Sequence, residues 1–309
     1  MRTAFIAIAF SFQALFYSLP SLGQESGDGD RYTLPSTLPD LSGLSWVEAD
    51  LFIGLHDAKN DTSENIRPRI SLLHLPRSSN EGVNWEPLLL TFPGPAGLSS
   101  DLESSCRIPG SNDFLFVESG QEGDGFRRMF HAVYDEGIIH IKDYVSWPLE
   151  VTNVEATEIC RVGGQLFFFF AERAEDSAYT KLRWAKFSLE PLSFGVFDEI
   201  KYESVDPVGP RTRPIVAMDI DSDGFIYTAS AFDPGIDSGP FRSVIWRIGS
   251  VADNGQGRPV VNLDAGIRLA NLDGLKVESI AIRELPGGAK ELFFGTDDEN
   301  YGGIIRLLP

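Results

Sequence analysis

Internal repetition constrains this chain most. Five segments share one pattern: a small or acidic residue opens an alternating strand, a turn follows, and an apolar strand then ends in acids. They are "LSGLSWVEADLFIGLHD" from Leu41, "LESSCRIPGSNDFLFVESG" from Leu102, "VEATEICRVGGQLFFFFAER" from Val154, "IVAMDIDSDGFIYTASAFD" from Ile215 and "VESIAIRELPGGAKELFFGTDDE" from Val277. Aligned on Ser42, Glu103, Glu155, Val216 and Glu278, the copies are spaced by 61, 52, 61 and 62 residues. Such a period marks an architecture in which no copy can bury its apolar surface alone.

Each copy continues with further strand-like runs, such as "RISLLHL" with "EPLLLTF" and "RRMFHAVY" with "IIHIKDYV". Short runs rich in Phe, Val, Ile and Tyr between turn signals indicate antiparallel sheets. Four strands per copy, arranged radially, describe an all-β fold, a β-propeller of five four-stranded blades. A sixth blade would require a copy that the pattern does not register. The fifth copy stops after its third run, "GGIIRLLP", which leaves an open edge. The N-terminal segment "DRYTLPSTLP" is the expected closing strand, because an unpaired edge invites aggregation.

The first residues have a separate origin. Met1-Arg2, an apolar run from about Ala4 to Tyr17 and Ser21-Leu22-Gly23 read as a secretory signal peptide over residues 1–23. Residues 24–309 would then be a single propeller domain, secreted or periplasmic, monomeric, and free of the membrane once the signal is cleaved. The net charge of −19 argues against nucleic acid as a partner, whose phosphates would be repelled. It also raises the local concentration of cations. Cys106 and Cys160 lie in matching parts of their copies. A disulfide is permitted in an exported chain, and two buried thiols is the alternative.

Two groups of residues could carry chemistry. Innermost strands line a propeller's channel, so Glu103, Glu155 and Glu278 would converge on the axis, joined by Ser42. Converging carboxylates repel unless a cation or protons neutralise them. Calcium, which takes six to eight oxygens, would suit the site; otherwise the glutamates bond amides of the neighbouring blade. Each second strand ends in an acid and most third strands open with a base, giving the expected pairs Asp57 with Arg69, Glu118 with Arg127, Glu172 with Lys181 and Asp233 with Arg242. In the last copy Asp297 and Asp298 meet no such base, which makes them further cation candidates. "DIDSDG" from Asp219 begins like a calcium loop, but Ser230 stands where the bidentate Glu is needed, so it reads as a hairpin turn. The second group is basic: Arg211, Arg213, Lys276, Arg173 and His56 would face the same loops and suit phosphate or carboxylate groups.

The strands "DLESSCRIP", "NVEATEIC" and "KVESIAIRE" followed by "LFFGTDDEN" resemble the exported phytase-like (esterase-like) propeller family, which repeats an E-G-[IL]-A strand before a strand ending in acids. Here Ser104, Ala156 and Ser279 replace the glycine of that motif. The order Ser42, Glu103, Glu155, Glu278 is also similar to the five-bladed calcium-activated nucleotidases, with Val216 where a serine is expected. The resemblance implies a calcium-dependent hydrolase of phosphoesters or phosphoanhydrides, with Arg211 and Arg213 holding the phosphate. The alternative is a non-catalytic binding module whose axial cation only braces the ring.

Overall fold

The computed structural model describes residues 37–59, 67–76, 82–174, 177, 179–236, 238–297 and 302–308. Five antiparallel sheets follow one another along the chain, each a meander in which consecutive strands pair. Blade 1 comprises β1 (Gly43–Glu48), β2 (Leu51–Leu55), β3 (Ile70–His74) and β4 (Asn84–Leu88). Blade 2 comprises β5 (Leu102–Arg107), β6 (Asp113–Glu118), β7 (Arg128–Asp135) and β8 (Ile138–Ser146). Blade 3 has β9 (Val154–Val162), β10 (Gln165–Glu172) and β11 (Tyr179–Leu189), with its outer edge split between β12 (Leu192–Phe194) and β13 (Asp198–Glu203), which pair with opposite ends of β11. Blade 4 is the longest, with β14 (Thr212–Ile220), β15 (Phe225–Phe232), β16 (Arg242–Asp253) and β17 (Pro259–Asp273). Blade 5 has β18 (Val277–Glu284), β19 (Lys290–Thr296) and β20 (Ile305–Leu307). The first strands touch in cyclic order, β1 to β5, β5 to β9, β9 to β14, β14 to β18 and β18 to β1, which closes a five-bladed β-propeller.

Both faces of each blade are covered, so central strands read as apolar runs rather than as alternation. "LFFFFA" in β10 is the clearest case. Phe168 and Phe170 pack with Val117, Met129 and Trp147 of blade 2, and Phe167 and Phe169 pack with Trp184, Ile226 and Trp246 on the blade 4 side. Successive side chains point to opposite faces, so one strand supplies two inter-blade cores. Five apolar clusters result, one for each junction between neighbouring blades.

The expected closing strand and the signal peptide fall largely on residues 1–36, outside the described residues. Directly after them the chain does join the last blade: Gly303 N–H bonds the Leu38 carbonyl at 2.8 Å and Leu41 N–H bonds the Thr296 carbonyl at 2.9 Å. Among the described residues no helix is long and apolar enough to cross a membrane. Cys106 and Cys160 are free, buried thiols. The Asp219–Gly224 segment is the expected hairpin turn: Asp221 Oδ1 accepts the amides of Asp223 and Phe225 at 3.0 and 2.9 Å, and Gly224 adopts φ of 83°.

Candidate functional site

Backbone pairing at the entrance of each inner strand sets which residues are equivalent. Ser119 N–H bonds the Asp101 carbonyl, and the same bond recurs from Arg173 to Asn153, from Asp233 to Arg211 and from Asp297 to Lys276. Two residues further along, the inner strands therefore present Glu103, Glu155, Arg213 and Glu278 at one level. This corrects the alignment on Val216. In β14 the ladder passes from Arg213–Ala231 to Ala217–Ala229, so three residues oppose one and the strand carries a longer bulge than its neighbours. In β5, β9 and β18 a single residue is bulged, and it is the glutamate: the ladder skips Glu103, Glu155 and Glu278. A bulge re-aims the side chain it carries. Val216 packs instead in the core between blades 4 and 5.

The ring at this level thus holds three glutamates and an arginine, which changes its electrostatics. Arg213 reaches Asp233 at 2.6 Å, Glu278 at 3.2 Å and Glu155 at 4.0 Å. Lys276 reaches Asp297 at 2.6 Å and Glu278 at 3.2 Å, and Arg173 reaches Glu155 at 3.3 Å. Lys59 lies 2.5 Å from Asp101, 3.3 Å from Glu103 and 3.4 Å from Asp57. Burial lifts the carboxyls of Glu103, Glu155 and Glu278 above the usual range; Lys59 opposes this at Glu103, and Arg213 and Lys276 at the other two. Burial pushes Lys59 and Arg213 down, but their surrounding carboxylates win and hold both cations charged.

Each axial glutamate lies within ion-pair reach of a lysine or arginine, and among the described residues no three His, Cys, Asp or Glu side chains converge on a metal position. Ser42, expected to offer an oxygen to the axis, donates its hydroxyl to the Leu102 carbonyl at 2.6 Å and ties blade 1 to blade 2. Asp297, expected to lack a base, is paired with Lys276; Asp298 lies outside the described residues. Lys276 is itself buried in this network and not presented to a ligand.

The expected hairpin ion pairs are shifted in register. Glu118 pairs with Arg128 at 2.7 Å rather than with Arg127, which pairs with Asp124. Glu172 pairs with Arg183 and not Lys181, Asp57 with Lys59, and Asp233 with Arg213, while Arg242 pairs with Asp206 at 2.5 Å. Spacing alone cannot show which side of a strand a base takes, and a one-residue slip reverses it. His56 also differs from expectation. It is 1% exposed, with one ring nitrogen 2.5 Å from the Asp40 carbonyl and the other 2.8 Å from the Ser71 hydroxyl. Burial pushes it down to about 4, so it is a neutral bracket inside blade 1.

The structure does bring three of the predicted basic residues together. Arg173, Arg211 and Arg213 line a cleft of about 210 Å³ with Asp233 and Gly235, where the loops of blades 3 and 4 meet. Arg213 and Arg173 are held from below by the glutamate ring. Arg211 is exposed, sits at φ of 65°, and makes no side-chain hydrogen bond or ion pair among the described residues. Its guanidinium lies across Gly235, at φ of 71°, where any Cβ would overlap it. Asp233 is committed: it accepts from Arg213 and, at 2.7 Å, from the Gly235 amide. Burial raises its carboxyl, but those two partners outweigh burial and hold it below the usual range. The cleft walls therefore carry three guanidiniums against one carboxylate.

No family model matches the chain, and no curated protein matches it. Solved structures are similar at low identity. A GH43 β-1,3-galactosidase with galactodeoxynojirimycin is 14% identical, with a TM-score of 0.47, covering 92% of this chain and 94% of that one. An endo-1,4-β-xylanase from Bacteroides thetaiotaomicron is 10% identical, with a TM-score of 0.49 and coverage of 88% and 90%. A GH43 endo-arabinanase from Bacillus licheniformis is 14% identical, with a TM-score of 0.46 and coverage of 89% and 93%. Likeness at this level carries nothing about the chemistry of this chain.

Proposed function

We propose that this propeller is a binding module for a small anion, a phosphate or carboxylate group, taken at the cleft of Arg173, Arg211 and Arg213. The observation that carries the reading is Arg211: an exposed guanidinium without a partner among the described residues, beside two more guanidiniums, on a chain of net charge −19. In so acidic a protein an arginine without an acid needs a reason. A guanidinium fork matches two oxygens of a carboxylate or phosphate at once. Arg213 and Arg173, fixed by Glu155, Glu278 and Asp233, add charge without having to be ordered on binding.

The expected phosphoester hydrolase has less support than the binding module. Asp233 is the single carboxylate of the cleft wall, and a carboxylate held below its usual range is a poor general base. Each axial glutamate already has a lysine or arginine within reach, which weakens the case for an axial calcium that would activate water. Calcium is nevertheless a usable discriminator, because the entrances of the inner strands hold more acids than bases. The test is thermal unfolding against inorganic phosphate, a phosphomonoester and citrate, each with and without calcium, with release of phosphate followed in parallel. The module reading expects stabilisation by anions that Arg211→Ala removes, no calcium requirement and no turnover. Turnover that needs calcium would return the hydrolase reading.

A further inference from the structure

The far mouth of the channel holds a second pair of acids in a different setting. A cavity of about 860 Å³ opens there, walled by Ile159, Val162, Ile220, Val251 and Ile282, and both Glu158 and Asp219 line it. They sit on adjacent inner strands, β9 and β14. Glu158 is only 8% exposed. One of its oxygens takes the Ile159 amide at 2.8 Å, and no base or side-chain donor reaches either oxygen among the described residues. Asp219 accepts the Ile282 amide at 2.7 Å and likewise has no base.

This contrasts with the loop face, where every ring glutamate has a cation in reach. Of the other acids of the cavity, Asp221 pairs with Lys290 at 2.8 Å, and Glu284, half-buried, accepts the Ser222 amide at 2.8 Å. The two arginines at the rim spend their donors elsewhere. Arg107 bonds the carbonyls of Val47 and Ser111, and Arg161 those of Pro109 and Gly164. Glu158 and Asp219 thus face an apolar-walled space without counter-charge, and burial raises both, Asp219 to about 7. A buried carboxylate without a partner is costly, so burial favours the neutral acid, and an ammonium that supplies the partner favours the ionised one.

We infer that this cavity is a second binding site, for a small organic cation whose ammonium lies between Glu158 and Asp219 and whose hydrocarbon body runs along Ile159, Val162 and Ile220. A bare metal ion fits less well. Only three carboxylates without a base, Glu158, Asp219 and Glu284, line the cavity, where hard cations take six or more oxygens, whereas the cavity has the size of an organic ligand site, about 300–1,000 Å³. Apolar walls with one unpaired charged end match an amphiphilic amine. The site is independent of the arginine cleft, which lies at the opposite ends of these strands.

The test is equilibrium binding of n-alkylamines from butylamine to octylamine to the whole chain. The matching alcohols and calcium alone serve as controls, at about pH 8, where an alkylamine stays protonated as a lysine does. Affinity should rise with chain length, and Glu158→Gln should weaken octylamine at least about tenfold. The glutamine keeps the shape and removes only the capacity to ionise, so the variant is expected to fold; its thermal unfolding, and phosphate binding at the arginine cleft, verify that it does. Equal binding of amine and alcohol, unchanged binding in the folded variant, or saturable Glu158-dependent binding of calcium without amine binding would each overturn the proposal.

Discussion

Arg213 neutralises two of the three ring glutamates, so its removal is the sharpest perturbation of the loop face. Arg213→Met keeps much of the side chain's bulk and removes its charge. Arg213 is 9% exposed and touches Asp233, Glu278 and Glu155 within 4.0 Å. Lys276 still serves Glu278 and Arg173 still serves Glu155, but each loses its shared partner. Removing one member of a buried ion pair costs about 3–5 kcal/mol, because the other charge is left behind. For a domain of this size that lowers Tm by roughly 5–9 °C. The loss belongs to stranded carboxylates, so it should shrink when Glu155→Gln and Glu278→Gln are already present, a coupling of more than about 1 kcal/mol. The assay is urea unfolding of the wild type, Arg213→Met, the Gln double variant and the triple variant. A loss below about 1 kcal/mol, or the same loss on the Gln background, would refute the ring as an ion-pair network.

Further predictions follow from single observations. Asp219 is raised from 3.8 to about 7 by burial, so the folded chain keeps a proton that the unfolded chain releases. Stability from this group is full below about pH 4 and lost as pH rises to about 7. Asp219→Asn should remove a few kcal/mol of that slope at most, seen as higher stability than wild type at neutral pH. His56 has the opposite sign: it is held neutral at about 4 against an ordinary 6.5, so its contribution is present above about 6.5 and lost as pH falls to about 4. Phe170→Ala, which empties part of the core between blades 2 and 3, should cost about 3–5 kcal/mol in chemical denaturation. The thiols of Cys106 and Cys160 are buried and free; burial pushes Cys160 up to about 12 and Cys106 well above its usual range. A thiol reagent should therefore find neither in the native chain and both after unfolding; a single slow-reacting disulfide after unfolding would contradict this.

The fold was legible because propeller strands carry their signal in composition and period. "LFFFFA", "DFLFVE" and "ELFFGT" are apolar throughout because blades cover both of their faces, and the turns between them are marked by glycine. The basic cluster was partly legible as well, since Arg211 and Arg213 in "GPRTRPIV" stand out in an acidic chain. Equivalence between blades was not. Counting residues placed Val216 beside the glutamates, because the longer bulge of β14 is invisible in a spacing. That error hid the central feature of the ring: its fourth member is an arginine that neutralises two of the others, so an axis that looked uniformly acidic is balanced in part by its own strands. His56 was read as a ligand group because a histidine's burial depends on contacts from Asp40 and Ser71, which are distant in sequence. Glu158 had no motif to announce it, and Asp219 was read only as the start of the hairpin segment "DIDSDG". Each stands three residues after the position aligned in its copy, Glu155 and Val216, but a spacing does not show that no base reaches either one.

The most direct measurement is calorimetric titration of inorganic phosphate into the wild-type chain and into Arg211→Ala, in the presence of chelator. A charge-assisted contact contributes about 1.5–3 kcal/mol, so the account predicts one site in the wild type, without calcium, weakened at least about tenfold in the variant. Equal binding to both proteins, or binding that appears only when calcium is restored, would contradict it.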